Sequence, residues 1–194
     1  DFTCLYQYFL LSFGLELLKG GVLMFKIGDK VLDRNGRIFL IECSEMKDFG
    51  NGDALYFVLK PCFRYDFNDG YRTYVPEDRS ASLLRPVMER EEALEIIDSL
   101  PSLETFPEVN PRERKNFFTK VVSSGNRTDI CKVIKTLLAY RQERLRRNKQ
   151  FSDFDRRLLN SLILLFTNEI SVALEMEPES VLLFVKERTG LILE

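Results

Sequence analysis

The chain of 194 residues contains no histidine and no tryptophan. Without histidine it has no usual general base, lacks the commonest metal ligand, and cannot build a Ser-His or Cys-His nucleophile pair. Its four cysteines, Cys4, Cys43, Cys62 and Cys131, are scattered with no C-x-x-C pair. That excludes a disulfide framework and a zinc site, and reads as reduced thiols in a cytosolic protein. No Gly-rich phosphate loop or paired-carboxylate motif is present, and Glu91, Glu92 and Glu95 read as the charged face of a helix. The expectation is a protein that is not an enzyme and needs no cofactor. Long apolar runs are also scarce. Leu5 to Leu18 is short for a membrane span, contains Glu16, and lacks both a basic leading region and an A-x-A-like cleavage site, so no membrane partner is expected. Lys19-Gly20-Gly21 can be encoded by a ribosome-binding sequence ahead of Met24. Translation is therefore expected to start at Met24, with residues 1–23 a doubtful extension.

What the chain does have is an uneven charge. Between Pro111 and Arg157 lie 14 of its 28 basic residues against five acidic ones, a surplus of nine, although the whole chain sums to −2. The flanking segments are acidic. A local surplus of this kind is the footprint of a surface that meets a polyanion, and nucleic acid is the first partner to consider.

Two regimes of periodicity follow along the chain. From Phe25 to about Pro86 the pattern is β-like: Lys30–Asp33, Arg37–Met46, Ala54–Lys60 and Tyr71–Val75 are rich in Val, Ile, Phe and Tyr and are separated by Gly/Asn/Asp turns. Asn35-Gly36 predicts a type I′ hairpin with positive φ at both residues. Gly50-Asn51-Gly52 and Asn68-Asp69-Gly70 mark two further connections. Strands this short close most easily into a small barrel of the SH3 or Tudor kind. Beyond Pro86 the period becomes helical, with helices predicted at Glu89–Leu100, Arg112–Ser123, about Thr128–Asn148, from Ser152 onward, and after Pro178. The helix opened by Ser152 carries Leu158, Leu159, Leu162, Ile163, Phe166, Ile170 and Leu174 and is predicted to be the most buried. The fold expected is α+β in two domains, a small SH3/Tudor-like β-barrel at 24–86 and an all-α helical bundle at 87–194.

Candidate site residues fall in two groups. Arg144, Arg146, Arg147 and Lys149, together with Arg141, end one helix, and Arg156-Arg157 opens the next. An antiparallel pair would bring both sets to one end, against a sugar-phosphate backbone. Arg112, Arg114 and Lys115 form a second basic group before Phe117-Phe118, where the arginines suit phosphate contact and the rings suit core. In the β segment the density of aromatics, Tyr56 and Tyr74 among them, suits a protein-docking surface beside an unpaired strand edge. Ordinary hairpin packing accounts for the same residues.

Phe25-x-Ile-Gly-Asp-Lys-Val31, Val75-Pro76, Leu84-Arg85-Pro86-Val87, Ser124-Gly125-Asn126 and Lys132-Val-Ile-Lys-Thr-Leu137, in that order, resemble the CarD-like bacterial transcription regulators over about 25–187. The resemblance implies a Tudor-like domain that docks on the β subunit of RNA polymerase and a helical domain that touches promoter DNA at the upstream edge of the bubble. It implies polymerase contacts near Ser44 and Tyr74, with Arg72 and the aromatic Tyr56 as substitutes for basic residues that some members carry there. The tryptophan that members place before the first basic helix is missing, since that neighbourhood reads Asn110-Pro111-Arg112. The function expected is therefore a cytoplasmic, nucleoid-associated transcription regulator, expected as a monomer. It would grip DNA largely independently of sequence and modulate open-complex stability. A protein-interaction module without a DNA role, and an RNA- or ribosome-associated protein, are the alternatives.

Overall fold

The structure, a computed structural model, describes residues 25–50, 52–64, 72–107 and 109–193. The extension at 1–23, the Asn68-Asp69-Gly70 connection and the aromatics Tyr65, Phe67 and Tyr71 lie outside the described residues. The fold is mixed α+β, an antiparallel five-stranded sheet followed by helices. The chain divides into two compact units between Pro86 and Val87.

In the first unit the strands are β1 (Lys30–Leu32), β2 (Ile38–Asp48), β3 (Asp53–Pro61), β4 (Thr73–Pro76) and β5 (Arg85–Pro86), ordered β4-β3-β2-β1-β5. Period-two alternation turns Val31, Phe39, Ile41, Phe57, Leu59 and Val75 into one core with Phe25 and Leu84. Between Ile41 and Cys43 the β2–β3 register shifts, leaving Glu42 as an extra residue in the ladder. The shift reverses the parity of β2, so that Ser44 rather than Cys43 lies on the core-facing side, opposite Phe57. Edge strand β5 accommodates Pro86 because an edge needs no second ladder hydrogen bond there.

The β1–β2 connection departs from the expected type I′ turn. Gly36 has φ 78°, but Asn35 is not left-handed. The connection runs over five residues and is organised by the Asp33 carboxylate, which accepts the backbone N–H groups of Asn35 (2.8 Å) and Arg37 (2.9 Å) and pairs with the Arg37 guanidinium at 2.7 Å. One left-handed residue is enough when a side chain does the turning. The Gly50-Asn51-Gly52 connection is likewise centred on an aspartate, with Gly50 and Gly52 donating to Asp48 Oδ1 at 2.7 and 3.0 Å.

After a 3₁₀ turn (Glu77–Arg79) and the short α1 (Ser80–Leu83), the second unit holds α2 (Arg90–Ser99), α3 (Pro111–Ser123), α4 (Arg127–Arg146), α5 (Asp153–Leu174) and α6 (Pro178–Thr189). Their starts follow the cap chemistry. Asn126 Oδ1 accepts from Asp129 N at 2.9 Å and Ser152 Oγ from Asp155 N at 3.1 Å, while Pro178 opens α6, where a missing N–H costs nothing. Helix α5 carries the most buried residues, and Leu159, Leu162 and Ile170 are at most 2% exposed. Each such side chain contributes about 1.5–3 kcal/mol by leaving water. Helix α5 is also long and apolar enough to cross a membrane by length and composition, with half of that stretch buried inside the protein.

Candidate nucleic-acid interface

Arg114 ties the starts of α3 and α5 to the end of α4. Its Nη1 donates to Asp155 Oδ2 at 3.0 Å, its guanidinium carbon lies 4.0 Å from the Tyr140 ring centroid, and its Nη2 donates to the Val109 carbonyl at 3.4 Å. Burial opposes the charge, but Tyr140 and Asp155 outweigh it and hold the pKa above the ordinary arginine value. The expectation that Arg114 contacts phosphate is thereby corrected. At 8% exposure, with Asp155 at 2%, its charge is committed inside the unit. The neighbouring rings do lie in the core as expected, Phe118 fully buried and Phe117 half-buried against Phe106.

Around this hub the other basic residues reach the surface. Lys115, next to Arg114, is exposed, with its ammonium 5.8 Å from the ring centroid of Phe154 in the first turn of α5. Arg146, Lys149 and Arg157 are exposed. Arg147 pairs with Glu143 at 2.6 Å and Arg156 with Asp153, both as exposed pairs within one turn of helix. Such pairs are worth at most about 1 kcal/mol, so a phosphate displaces the carboxylate at little cost. Arg112 stands in the first turn of α3; its side chain lies outside the described set.

The joint between α4 and α5 is closed by backbone hydrogen bonds around one left-handed residue. Asn148 takes the left-handed conformation (φ 53°), Lys149 N donates to Arg144 O at 2.8 Å, and Asn148 N to Leu145 O at 3.1 Å. This pairing satisfies the last carbonyls of α4 and turns the chain sharply. Arg144 Nε then donates to the Gln150 carbonyl at 3.0 Å, and Phe151 packs on Tyr140 with centroids 6.1 Å apart. The result is a depression of about 700 Å³ walled by Arg141 and Arg144 of α4 and Arg156 of α5, with Leu145, Phe151 and Asn160 among its other residues. Gln150, Phe151, Leu145 and Asn160 were not marked by the sequence pattern, because no periodicity distinguishes a joint residue that lines a concavity from one that faces open solvent.

Not every cation in the basic segment is available. Arg127 donates to Glu169 Oε1 at 2.7 Å and pairs with Glu92 at 3.0 Å. Lys135 donates to the carbonyls of Leu100, Pro101 and Leu103 at 2.9, 2.7 and 2.6 Å, closing the C-terminus of α2. Those charges hold the fold, whereas Arg146, Lys149 and Arg157, near the α4–α5 joint, are exposed.

In the first unit the expected docking residues divide between the two sides of the sheet. Tyr56 and Tyr74 share one face, where exposed Phe49 meets both rings at 5.0 and 5.5 Å and Lys47 Nζ lies 5.7 Å from the Tyr74 centroid. Arg72 is exposed and forms an ion pair with Glu42 at 2.9 Å. Ser44 lies on the opposite face and donates to Glu77 at 2.6 Å, so the structure does not bring it together with the tyrosines. Phe49 is the residue that sequence patterning passed over, its signal being an aromatic directly before a glycine turn. Strand β4 pairs only with β3 among the described residues, so its other edge is open there.

Among the described residues no group of three or more Cys, Asp or Glu is placed to hold a metal ion, and Cys43, Cys62 and Cys131 are free thiols. No protein-family model matches the chain, and no curated protein matches it.

Proposed function

We propose that this chain is a transcription regulator of the CarD-like kind, in which a Tudor-like barrel docks on the β subunit of RNA polymerase and a helical bundle holds promoter DNA. The observation that carries the DNA half of this reading is the convergence of Arg141, Arg144 and Arg156 around one depression, with Arg146, Arg147, Lys149 and Arg157 exposed in the chain segments that adjoin its lining residues. A structural role accounts for cations at the end of α4, where they oppose the helix dipole. It does not account for Arg157 at the start of α5, where positive charge is unfavourable; Arg156 before it is offset by its pair with Asp153. The polymerase half rests on the β4 edge, open among the described residues, and the Phe49, Tyr56, Tyr74 cluster, which suit edge pairing with aromatic anchors. Contact with both partners adds free energy only where both are correctly placed, in the open complex, and so shifts the closed-to-open equilibrium without base-specific reading.

Reversing Arg146, Arg147, Arg156 and Arg157 to Glu tests the reading. Affinity for duplex DNA should fall and the slope of log K against log salt should flatten by about 3 to 4, with a shortened open-complex lifetime. An unchanged slope and lifetime would contradict it. Retained polymerase binding with no DNA dependence would favour an interaction module, and preference for structured RNA over forked duplex would favour an RNA-associated protein.

A further inference from the structure

We propose that the depression at the α4–α5 joint receives a single unpaired nucleotide of the bound DNA, so that the protein prefers DNA with an extruded base over matched duplex. This rests on the DNA reading above and goes beyond it, since phosphate contact alone has no need of a concave apolar site.

Three features of the lining lead there. Arg141, Arg144 and Arg156 surround a space of about 700 Å³, with Asp153 as the opposing carboxylate, which leaves the site cationic. That volume lies within the roughly 300–1,000 Å³ of sites that enclose a small molecule, far larger than one phosphate requires. Within this ring of charge Leu145 stands 66% exposed and Phe151 is half-buried. A large aliphatic side chain left in water between guanidinium groups gains free energy when an apolar surface is laid against it. Asn160 and Gln150 add side-chain amides, each with a donor pair and an acceptor, which match the mixed donor and acceptor edge of a nucleobase. Arginine planes also stack on bases while binding the adjacent phosphate. Apolar wall, amide edge and cationic rim together describe a nucleotide. In a matched duplex the bases are stacked and cannot enter, so the site selects a base that has left the helix.

The test uses the full chain with two DNA probes at one salt concentration, a matched duplex and the same duplex carrying one bulged 2-aminopurine. The bulged probe should bind about tenfold more tightly, the gain expected from stacking one base, and its fluorescence should change on binding. Leu145→Ser and Asn160→Ala, both at exposed positions, should each bring the ratio of the two affinities to within about twofold. Equal, salt-dependent binding of both probes by the wild type would overturn the nucleotide site while leaving the DNA reading standing. Failure to bind either probe would remove both. Tighter binding of the same bulged duplex made in RNA would overturn the assignment to DNA.

Discussion

Arg114 and Asp155 form the residue-scale centre of the second unit. Their side chains are 9% and 3% exposed, so removing either partner strands a buried charge. Arg114→Ala should lower stability by about 3–5 kcal/mol in chemical denaturation, whereas replacing both with well-packed apolar side chains, Arg114→Met with Asp155→Leu, should recover most of that loss. A second residue-scale expectation concerns Cys131, 2% exposed, whose thiol pKa burial, aided by Glu169, pushes from 9.0 up to about 12. The folded state keeps this proton where the unfolded chain loses it. Its contribution is therefore complete below pH 9 and declines as pH rises from there toward about 12. Cys131→Ala should flatten the alkaline fall of stability measured by denaturant titration, and native Cys131 should resist alkylation until the protein unfolds.

Elements are set by their ends here more than by their middles. The α4–α5 joint depends on Asn148 at φ 53°, a conformation that asparagine and glycine tolerate and β-branched residues do not. Asn148→Val should cost about 1–2 kcal/mol and weaken DNA binding by loosening the joint, while Asn148→Gly should leave the thermal midpoint nearly unchanged. In the sheet, the irregularity between Ile41 and Cys43 decides which side chains of β2 share a face with Tyr56 and Tyr74. Strict alternation carried through from Phe39 and Ile41 places Cys43 and Glu45 toward the core; the extra residue sends them to the other side and brings Ser44 inward. Strand positions were legible from Val, Ile and aromatic content, but a one-residue insertion in a ladder leaves no compositional trace, and so the face of Ser44 was not.

At the scale of the molecule, the near-neutral total of −2 covers a charge that is segregated inside the second unit, where the basic stretch lies between acidic ones, and the two units each enclose a core of their own. Residues 87–193 expressed alone should therefore unfold cooperatively and carry the salt-dependent DNA affinity proposed for the full chain, and residues 24–86 should show none. A gel-shift titration of the two fragments across a salt series checks this. If DNA affinity follows the sheet unit instead, the assignment of the basic joint is wrong.

By itself the sequence determined the α+β class, the helix starts at Ser152 and Pro178, the burial of α5, and the stretch in which positive charge accumulates. These are local properties, written in periodicity, cap chemistry and composition. Only the tertiary structure decided how each cation is used. Arg114, Arg127 and Lys135 are of the same residue types as their exposed neighbours, yet they meet Asp155, Glu169 and three carbonyls of the α2 terminus. Whether a guanidinium faces phosphate or a buried carboxylate depends on which distant segment packs against it, and that is settled by the packing of helices about a shared core.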